Sequence, residues 1–342
     1  FINTNVKQEH KKDQITNNVV FTDISRSTGL SDILSTKKDV EQNGQGFSSI
    51  ITLGDHDSDG DQDLFVSRWS KELNKSTQYL FDYDNGIFST NNSISVLEND
   101  SKDISATFVD HNNDGYLDIY ISNDKKDRLY QNLGEGEFEE INIPGIDKHS
   151  NKGLFIDFDL EGDLDLFLAT NSKDLLFRNN SDGTYTETGH GAGFANSSFP
   201  TKDAIYADLD DDGDGDLFIL NTNGNNIYYD NLRQGSFQDI IASSGLLTSN
   251  TPGAIAKGDY NNDGLIDILV TDLSGNMNEL YMNLGDGKFK ADQNWKKSKK
   301  RLQGISGNDA EFFDFDNDGY LDILISGNKK NDERSGLYLF YN

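Results

Sequence analysis

The chain has 342 residues, with 59 acidic and 30 basic side chains, a formal charge of −29 and no cysteine. No apolar run approaches the roughly 18 residues that a membrane-spanning helix needs. A charge of this sign argues against nucleic acid and anionic lipid as partners, and the missing cysteines exclude disulfides, thiolate metal sites and a cysteine nucleophile. With 21 Phe, 14 Tyr, 32 Gly and only 3 Pro, the composition is that of a folded chain whose turns are built on Gly, Asn and Asp. At ~150 residues per domain the length suggests about two domains, unless the chain is a repeat array.

Residues 1–18 are polar and read as a flexible leader or linker, leaving 19–342 as a single domain. The first residue is Phe1, which fits a removed leader or a fragment of a longer chain. FTDIS (21–25) is strand-like. At Asp55 begins the first of six copies of D-x-[DN]-x-[DE]-G-x-x-D. They read DHDSDGDQD from Asp55, DHNNDGYLD from Asp110, DFDLEGDLD from Asp157, DLDDDGDGD from Asp208, DYNNDGLID from Asp259 and DFDNDGYLD from Asp314, spaced 47 to 55 residues apart. These windows hold 26 of the 59 acidic residues and no Lys or Arg, so the rest of the chain, with 33 acidic and 30 basic residues, is nearly neutral. The acidity is local.

Ca²⁺ is a hard cation that takes six to eight oxygens at about 2.3–2.6 Å. Side-chain oxygens at positions 1, 3, 5 and 9 of each copy can converge on one ion if the chain turns sharply at position 6. That position is Gly in every copy (Gly60, Gly115, Gly162, Gly213, Gly264, Gly319), as a turn with positive φ demands. Position 7 varies freely, which suits a backbone carbonyl ligand. The candidate ligands, the position-7 residue contributing its carbonyl, are therefore Asp55, Asp57, Asp59, Asp61 and Asp63; Asp110, Asn112, Asp114, Tyr116 and Asp118; Asp157, Asp159, Glu161, Asp163 and Asp165; Asp208, Asp210, Asp212, Asp214 and Asp216; Asp259, Asn261, Asp263, Leu265 and Asp267; and Asp314, Asp316, Asp318, Tyr320 and Asp322. Up to six Ca²⁺ are expected. An EF-hand would need Glu at position 12 and flanking helices. Here position 12 is Val66, Ile121, Leu168, Ile219, Val270 and Ile325, within short β-branched or aromatic runs (LFVS, IYIS, LFLA, LFIL, ILVT, ILIS) that read as strands. Solvated turns alone do not account for six copies in register with such strands.

Each loop sits in a longer unit. A short apolar segment precedes it, as in ISATFV (104–109), KGLFI (152–156) and AEFF (310–313), and the apolar strand follows it. An aromatic strand ending in Asn comes next (RLYQN 128–132, LLFRN 175–179, IYYDN 227–231, ELYMN 279–283), then a turn and another aromatic. The first unit reads YLFDYDNGIF over 79–88. Four strands per ~50 residues without a helix signal describe one blade of a β-propeller. The expected fold is all-β, with six four-stranded antiparallel blades, or seven or eight if the sequence is truncated. All the acidic loops should lie on one face, as the hairpins between first and second strands. LYLFYN (337–342) ends the chain as a third strand, and FTDIS matches the fourth-strand segments FEEIN (138–142) and FQDII (237–241), so the N-terminal strand should close the ring.

The unit resembles the FG-GAP/VCBS repeat of α-integrin-like β-propellers over roughly residues 20–342. FTDISRSTGL (21–30), DYNNDGLIDILV (259–270) and LFRNNSDGTYTETGHGAGF (176–194) are similar to repeats of bacterial secreted VCBS proteins and the cartilage acidic protein group. The resemblance implies an extracellular, cell-surface or periplasmic location, calcium-stabilised blades, and adhesion to or binding of protein or glycan. A few relatives are enzymes, such as certain polysaccharide lyases with propeller folds.

The residues themselves offer no catalytic constellation. Of the five His (10, 56, 111, 149 and 190), His56 and His111 occupy position 2 of acidic loops, where the side chain should point away from the metal, and His149 and His190 have no partner at motif spacing. No nucleophile elbow, zincin, P-loop or dinucleotide motif occurs. KKSKKR (296–301) reads as a solvated loop, with an acidic partner or glycan as the alternative. Sequons at Asn74, Asn91, Asn99, Asn179 and Asn196 matter only in a host that glycosylates secreted proteins. The expected function is an extracellular calcium-binding module for protein or glycan, without membrane insertion or nucleic acid. The alternatives are a secreted polysaccharide-active enzyme and a structural subunit of an extracellular assembly.

Overall fold

The structure is a computed structural model, and it describes residues 22–23, 28, 48–70, 73–91, 100–134, 137–143, 148–182, 184–189, 192–193, 199–222, 226–233, 235–246, 251–275, 278–295, 304–329 and 335–342. The polar segment 1–18, KKSKKR, His10, His190, Asn99 and Asn196 lie outside the described residues.

Six four-stranded antiparallel sheets form the blades of a β-propeller. Blade 1 is Ser48–Gly54 (β2), Asp63–Ser70 (β3), Lys75–Asp84 (β4) and Ile87–Asn91 (β5). Blade 2 is Asp103–Val109 (β6), Asp118–Asn123 (β7), Arg128–Asn132 (β8) and Phe138–Ile141 (β9). Blade 3 is Lys152–Ile156 (β10), Asp165–Ala169 (β11), Leu175–Asn179 (β12) and Tyr185–Glu187 (β13). Blade 4 is Thr201–Ala207 (β14), Asp216–Asn221 (β15), Ile227–Asn231 (β16) and Phe237–Asp239 (β17), followed by the four-residue helix Ile241–Ser244 (α1). Blade 5 is Pro252–Gly258 (β18), Asp267–Asp272 (β19), Glu279–Asn283 (β20) and Phe289–Ala291 (β21). Blade 6 takes Ile305–Phe313 (β22), Asp322–Lys329 (β23) and Ser335–Tyr341 (β24) from the C-terminus and Thr22–Asp23 (β1) from the N-terminus. Thr22 pairs with Tyr341 and Asp23 with Phe340. This N-terminal closure is the one expected, and it covers the outer edge of the last three strands.

The second strands explain why their sequences are apolar throughout rather than alternating. Residues along a strand point to opposite faces, and each blade is covered on both faces by its neighbours, so both sets are buried. Leu64 and Val66 of β3 face the cluster shared with blade 6, while Phe65 between them faces the cluster shared with blade 2. Six apolar clusters fill the six inter-blade interfaces around the ring. Fully burying one such side chain contributes about 1.5–3 kcal/mol.

Nearer the axis the first strands carry polar links. In β14 and β22 the pairing register shifts just before Asp203 and Asp309. Asp203 Oδ2 accepts from Ile255 N of blade 5 at 2.9 Å, and Asp309 Oδ2 accepts from Ile51 N of blade 1 at 2.7 Å. These carboxylates stitch one blade to the next.

Candidate functional site: six acidic loops on one face

Every copy of the nine-residue motif joins the first strand of a blade to the second, as expected, which places all six loops on one face. The fifth loop shows how the sequence builds the turn. Asp259 Oδ1 accepts from Asp263 N at 3.0 Å and its Oδ2 from Gly264 N at 2.8 Å. Asn261 Oδ1 accepts from the same Asp263 N at 2.9 Å, and Asp263 Oδ1 from Leu265 N at 3.0 Å. Positions 1, 3 and 5 are thus turned inward by the loop's own backbone amides. Position 4 is left-handed in all six copies (Ser58, Asn113, Leu160, Asp211, Asn262, Asn317), and position 6 is Gly at φ between 88° and 99° in all six. The first, second, fourth and sixth loops repeat the bonds from positions 5 and 6 to position 1. The third keeps the Gly162 N bond to Asp157 Oδ2 at 3.1 Å.

The oxygens converge. Within each of the sets Asp55, Asp57 and Asp59; Asp157, Asp159 and Asp165; Asp208, Asp210 and Asp216; and Asp314, Asp316 and Asp322, one carboxylate oxygen from each residue lies within 4.8 Å of the others. In the second and fifth loops position 3 is the amide of Asn112 or Asn261, which offers a carbonyl oxygen instead. Asp157 Oδ1 in the third loop and Asp214 Oδ1 in the fourth are buried without a hydrogen-bond partner. Oxygen donors crowded without an internal cation, some of them lacking any protein donor, are the set that a hard divalent cation satisfies.

Position 9 is the most buried member, with Asp63, Asp118, Asp165, Asp216, Asp267 and Asp322 each at most 1% exposed. Burial pushes the carboxyl up to about 6 for Asp63, about 7 for Asp165, Asp216 and Asp322, and about 8 for Asp267, against the opposing pull of backbone N–H donors. Its two oxygens tie the blade together. In Asp216, Oδ2 accepts from Leu209 N at position 2 of its loop (3.1 Å) and Oδ1 from Asn231 N at the end of the third strand (2.9 Å).

Position-7 side chains turn to neighbours. Asp61 Oδ1 accepts from Asn317 of the sixth loop (2.9 Å), Asp214 Oδ2 from Arg233 Nε (3.0 Å) and Asp163 from the Ser181 hydroxyl. Tyr116 and Tyr320 are exposed.

Position 2 differs from the expectation. His56 is buried, with Nε2 3.1 Å from Asp82 Oδ1 and 3.6 Å from Asp63 Oδ2, and it belongs to a potential ligand set with Asp57 and Asp63. His111 Nδ1 lies 2.5 Å from Asp118 Oδ2. The position-2 backbone N–H donates to the position-9 carboxylate, which draws both rings against that carboxylate rather than away from it. His149 is exposed.

The sequence reading passed over the role of the Asn that ends each third strand. Asn283 Nδ2 donates to Ile266 O in its own loop (3.0 Å) and to Leu209 O at position 2 of the preceding blade's loop (2.9 Å). Asn132 reaches His56 O, Asn231 reaches Phe158 O and Asn342 reaches Tyr260 O in the same way. In blade 1 the equivalent residue is Tyr83, whose hydroxyl donates to Phe315 O. Asn179 donates to Leu164 O, so that sequon's amide is engaged in the fold.

With this geometry in hand, the likeness to known proteins is specific. A family model for the FG-GAP-like repeat matches residues 55–121, 157–219, 208–270 and 259–325. The chain belongs to the FG-GAP-like repeat family, as a six-bladed propeller. No curated protein sequence matches it as a relative. Among solved structures it is similar to an Agrocybe aegerita lectin described as specifically recognising non-reducing terminal N-acetylglucosamine (TM-score 0.53, 17% identity, 86% of this chain and 80% of that one). Looser superpositions are found with BBS1N in complex with ARL6DN (TM-score 0.46, 9% identity, 85% and 90%) and with the V. cholerae biofilm matrix protein Bap1 (TM-score 0.37, 14% identity, 71% and 38%). At these identities the likeness is one of fold.

Proposed function

We propose that the chain is an extracellular, calcium-binding propeller that acts as a non-catalytic binding or adhesion module for protein or glycan. The observation that carries this reading is the set of six acidic loops on one face, in four of which carboxylate oxygens of positions 1 and 3 lie close enough to share one ion with position 5 (first loop) or position 9 (third, fourth and sixth loops). Side-chain oxygens of positions 1, 3, 5 and 9 and the position-7 carbonyl would hold one Ca²⁺ per loop. The ion supplies no chemistry beyond neutralising the carboxylates and fixing the loop. Extracellular calcium modules bind at roughly 10⁻⁴–10⁻³ M, so such loops fill outside the cell and stay empty at submicromolar cytosolic calcium. The fold-level likeness to a lectin agrees with a binding role.

The test is capture from immobilised glycans and extracellular proteins in millimolar calcium and in excess chelator. The expected result is a partner retained with calcium and lost with chelator. Capture unaffected by chelation, or turnover of a polysaccharide, would contradict the reading.

A further inference from the structure

We infer that a cationic pocket on the face opposite the acidic loops, between blades 1 and 2, binds a saccharide bearing carboxylate or sulfate groups. The assignment deepens the binding-module reading and rests on it. In an antiparallel blade successive turns alternate between the two ends. The acidic loops join first to second strands, so the turns from second to third strand lie on the other face. One such turn, between β7 and β8, carries Lys125 and Lys126, and Arg128 opens β8 beside them. Lys75 opens β4 of blade 1 at the same end, and Asp100 and Ser101 lead into β6 there. Together with Asn123 they line a pocket of about 440 Å³ that opens to solvent. Four cations and one carboxylate line it, with Asp124 and Asp127 in the same turn bonded to the backbone of Lys102 and Asn123, and Asp103 beneath the floor.

The pocket is built. Its floor is polar and buried: Asn123 is 0% and Ser101 4% exposed. Asn123 Nδ2 donates to the buried Asp103 at 2.9 Å, and its Oδ1 accepts from Lys125 N at 3.0 Å, fixing the turn. Lys125 Nζ donates to Asp100 O at 2.7 Å, and Lys126 Nζ lies 3.5 Å from Asn142 Oδ1. Arg128 is held by the hydroxyl of buried Tyr130 (3.1 Å) and, more loosely, by Glu140 (4.0 Å). The volume lies in the range of small-ligand sites, ~300–1,000 Å³. None of the described lining residues is aromatic or apolar, so among them a nucleobase finds no stacking platform and a peptide no hydrophobic anchor point. Ammonium and guanidinium groups beside amide and hydroxyl groups match a ligand that carries negative charge and hydroxyls on one small frame.

The experiment is calorimetric titration of the intact chain in millimolar calcium. The probes are trigalacturonate, a sulfated disaccharide, neutral galactotriose and inorganic sulfate. The expected result is binding of at least one acidic saccharide, with neutral galactotriose silent and inorganic sulfate at least tenfold weaker. The double variant Lys125→Ala/Lys126→Ala, at two exposed positions, should weaken the acidic saccharide at least about tenfold while leaving the calcium-bound melting temperature unchanged. Lys125→Glu/Lys126→Glu should abolish binding. Acidic saccharide binding that equals neutral binding, that inorganic sulfate matches, or that survives both variants would overturn the inference. Calcium-dependent capture of a different partner, untouched by the variants, would overturn it too while leaving the binding-module reading standing; loss of all capture would overturn that reading first.

Discussion

Asp174, in the turn between β11 and β12, shows how a single buried carboxylate sets a pH dependence apart from the acidic loops. It is 6% exposed, and burial pushes it from an ordinary 3.8 up to about 6, although Thr170 N (2.9 Å) and the Thr201 hydroxyl (2.9 Å) donate to it. The folded state therefore holds this proton more tightly than the unfolded chain does. The protonated carboxyl favours folding at pH 4, and that advantage is lost as the pH rises through about 6. A shift of roughly two units corresponds to about 3 kcal/mol at most. Blades 4 and 5 solve the same problem with Asn226 and Asn278, each accepting the equivalent backbone N–H at 2.8 Å. Asp174→Asn should therefore leave stability near pH 4 almost unchanged and raise it at pH 8 by about 1–3 kcal/mol, read by urea unfolding at both pH values. A stability difference that does not vary with pH would contradict this.

At the scale of elements, the strands were legible because their burial writes itself into composition. The fully apolar LFVS, IYIS and ILIS runs became β3, β7 and β23, and RLYQN, LLFRN, IYYDN and ELYMN became β8, β12, β16 and β20 with matching ends. FQDII was read one step too far: the fourth strand stops at Asp239, and Ile241 begins α1. Links between blades were not legible. Asn283 and Leu209 are 74 residues apart, and nothing local tells an Asn that caps a hairpin from one that also clasps the neighbouring blade. The rings of His56 and His111 were misplaced for a similar reason, since their position follows from a backbone bond to a residue seven places on. Asn283→Ala would leave the Leu209 and Ile266 carbonyls without their donor in a site 2% exposed. The expected cost is about 2–3 kcal/mol in calcium-saturated urea unfolding. A change below about 0.5 kcal/mol would show that the clasp contributes little.

For the whole molecule, the charge of −29 is a statement about six loops rather than about the surface. Twelve positive charges from six Ca²⁺ would bring it to −17. Without them, two like charges ~4 Å apart cost about 4 kcal/mol at an effective dielectric of ~20. At ~2 mM free calcium and a Kd of ~0.5 mM, each site contributes about 1 kcal/mol, and six independent sites about 6 kcal/mol, comparable with a typical total stability of ~5–15 kcal/mol. Since the loops sit on every blade and adjacent blades are clasped through the position-2 carbonyls of these loops, loosening one loop weakens two blades. The most direct measurement is thermal unfolding of the intact chain in millimolar calcium and in excess chelator. Calcium-reversible lowering of the melting temperature by many degrees in chelator is the predicted result; superimposable melting curves would contradict the assignment of the six loops to calcium.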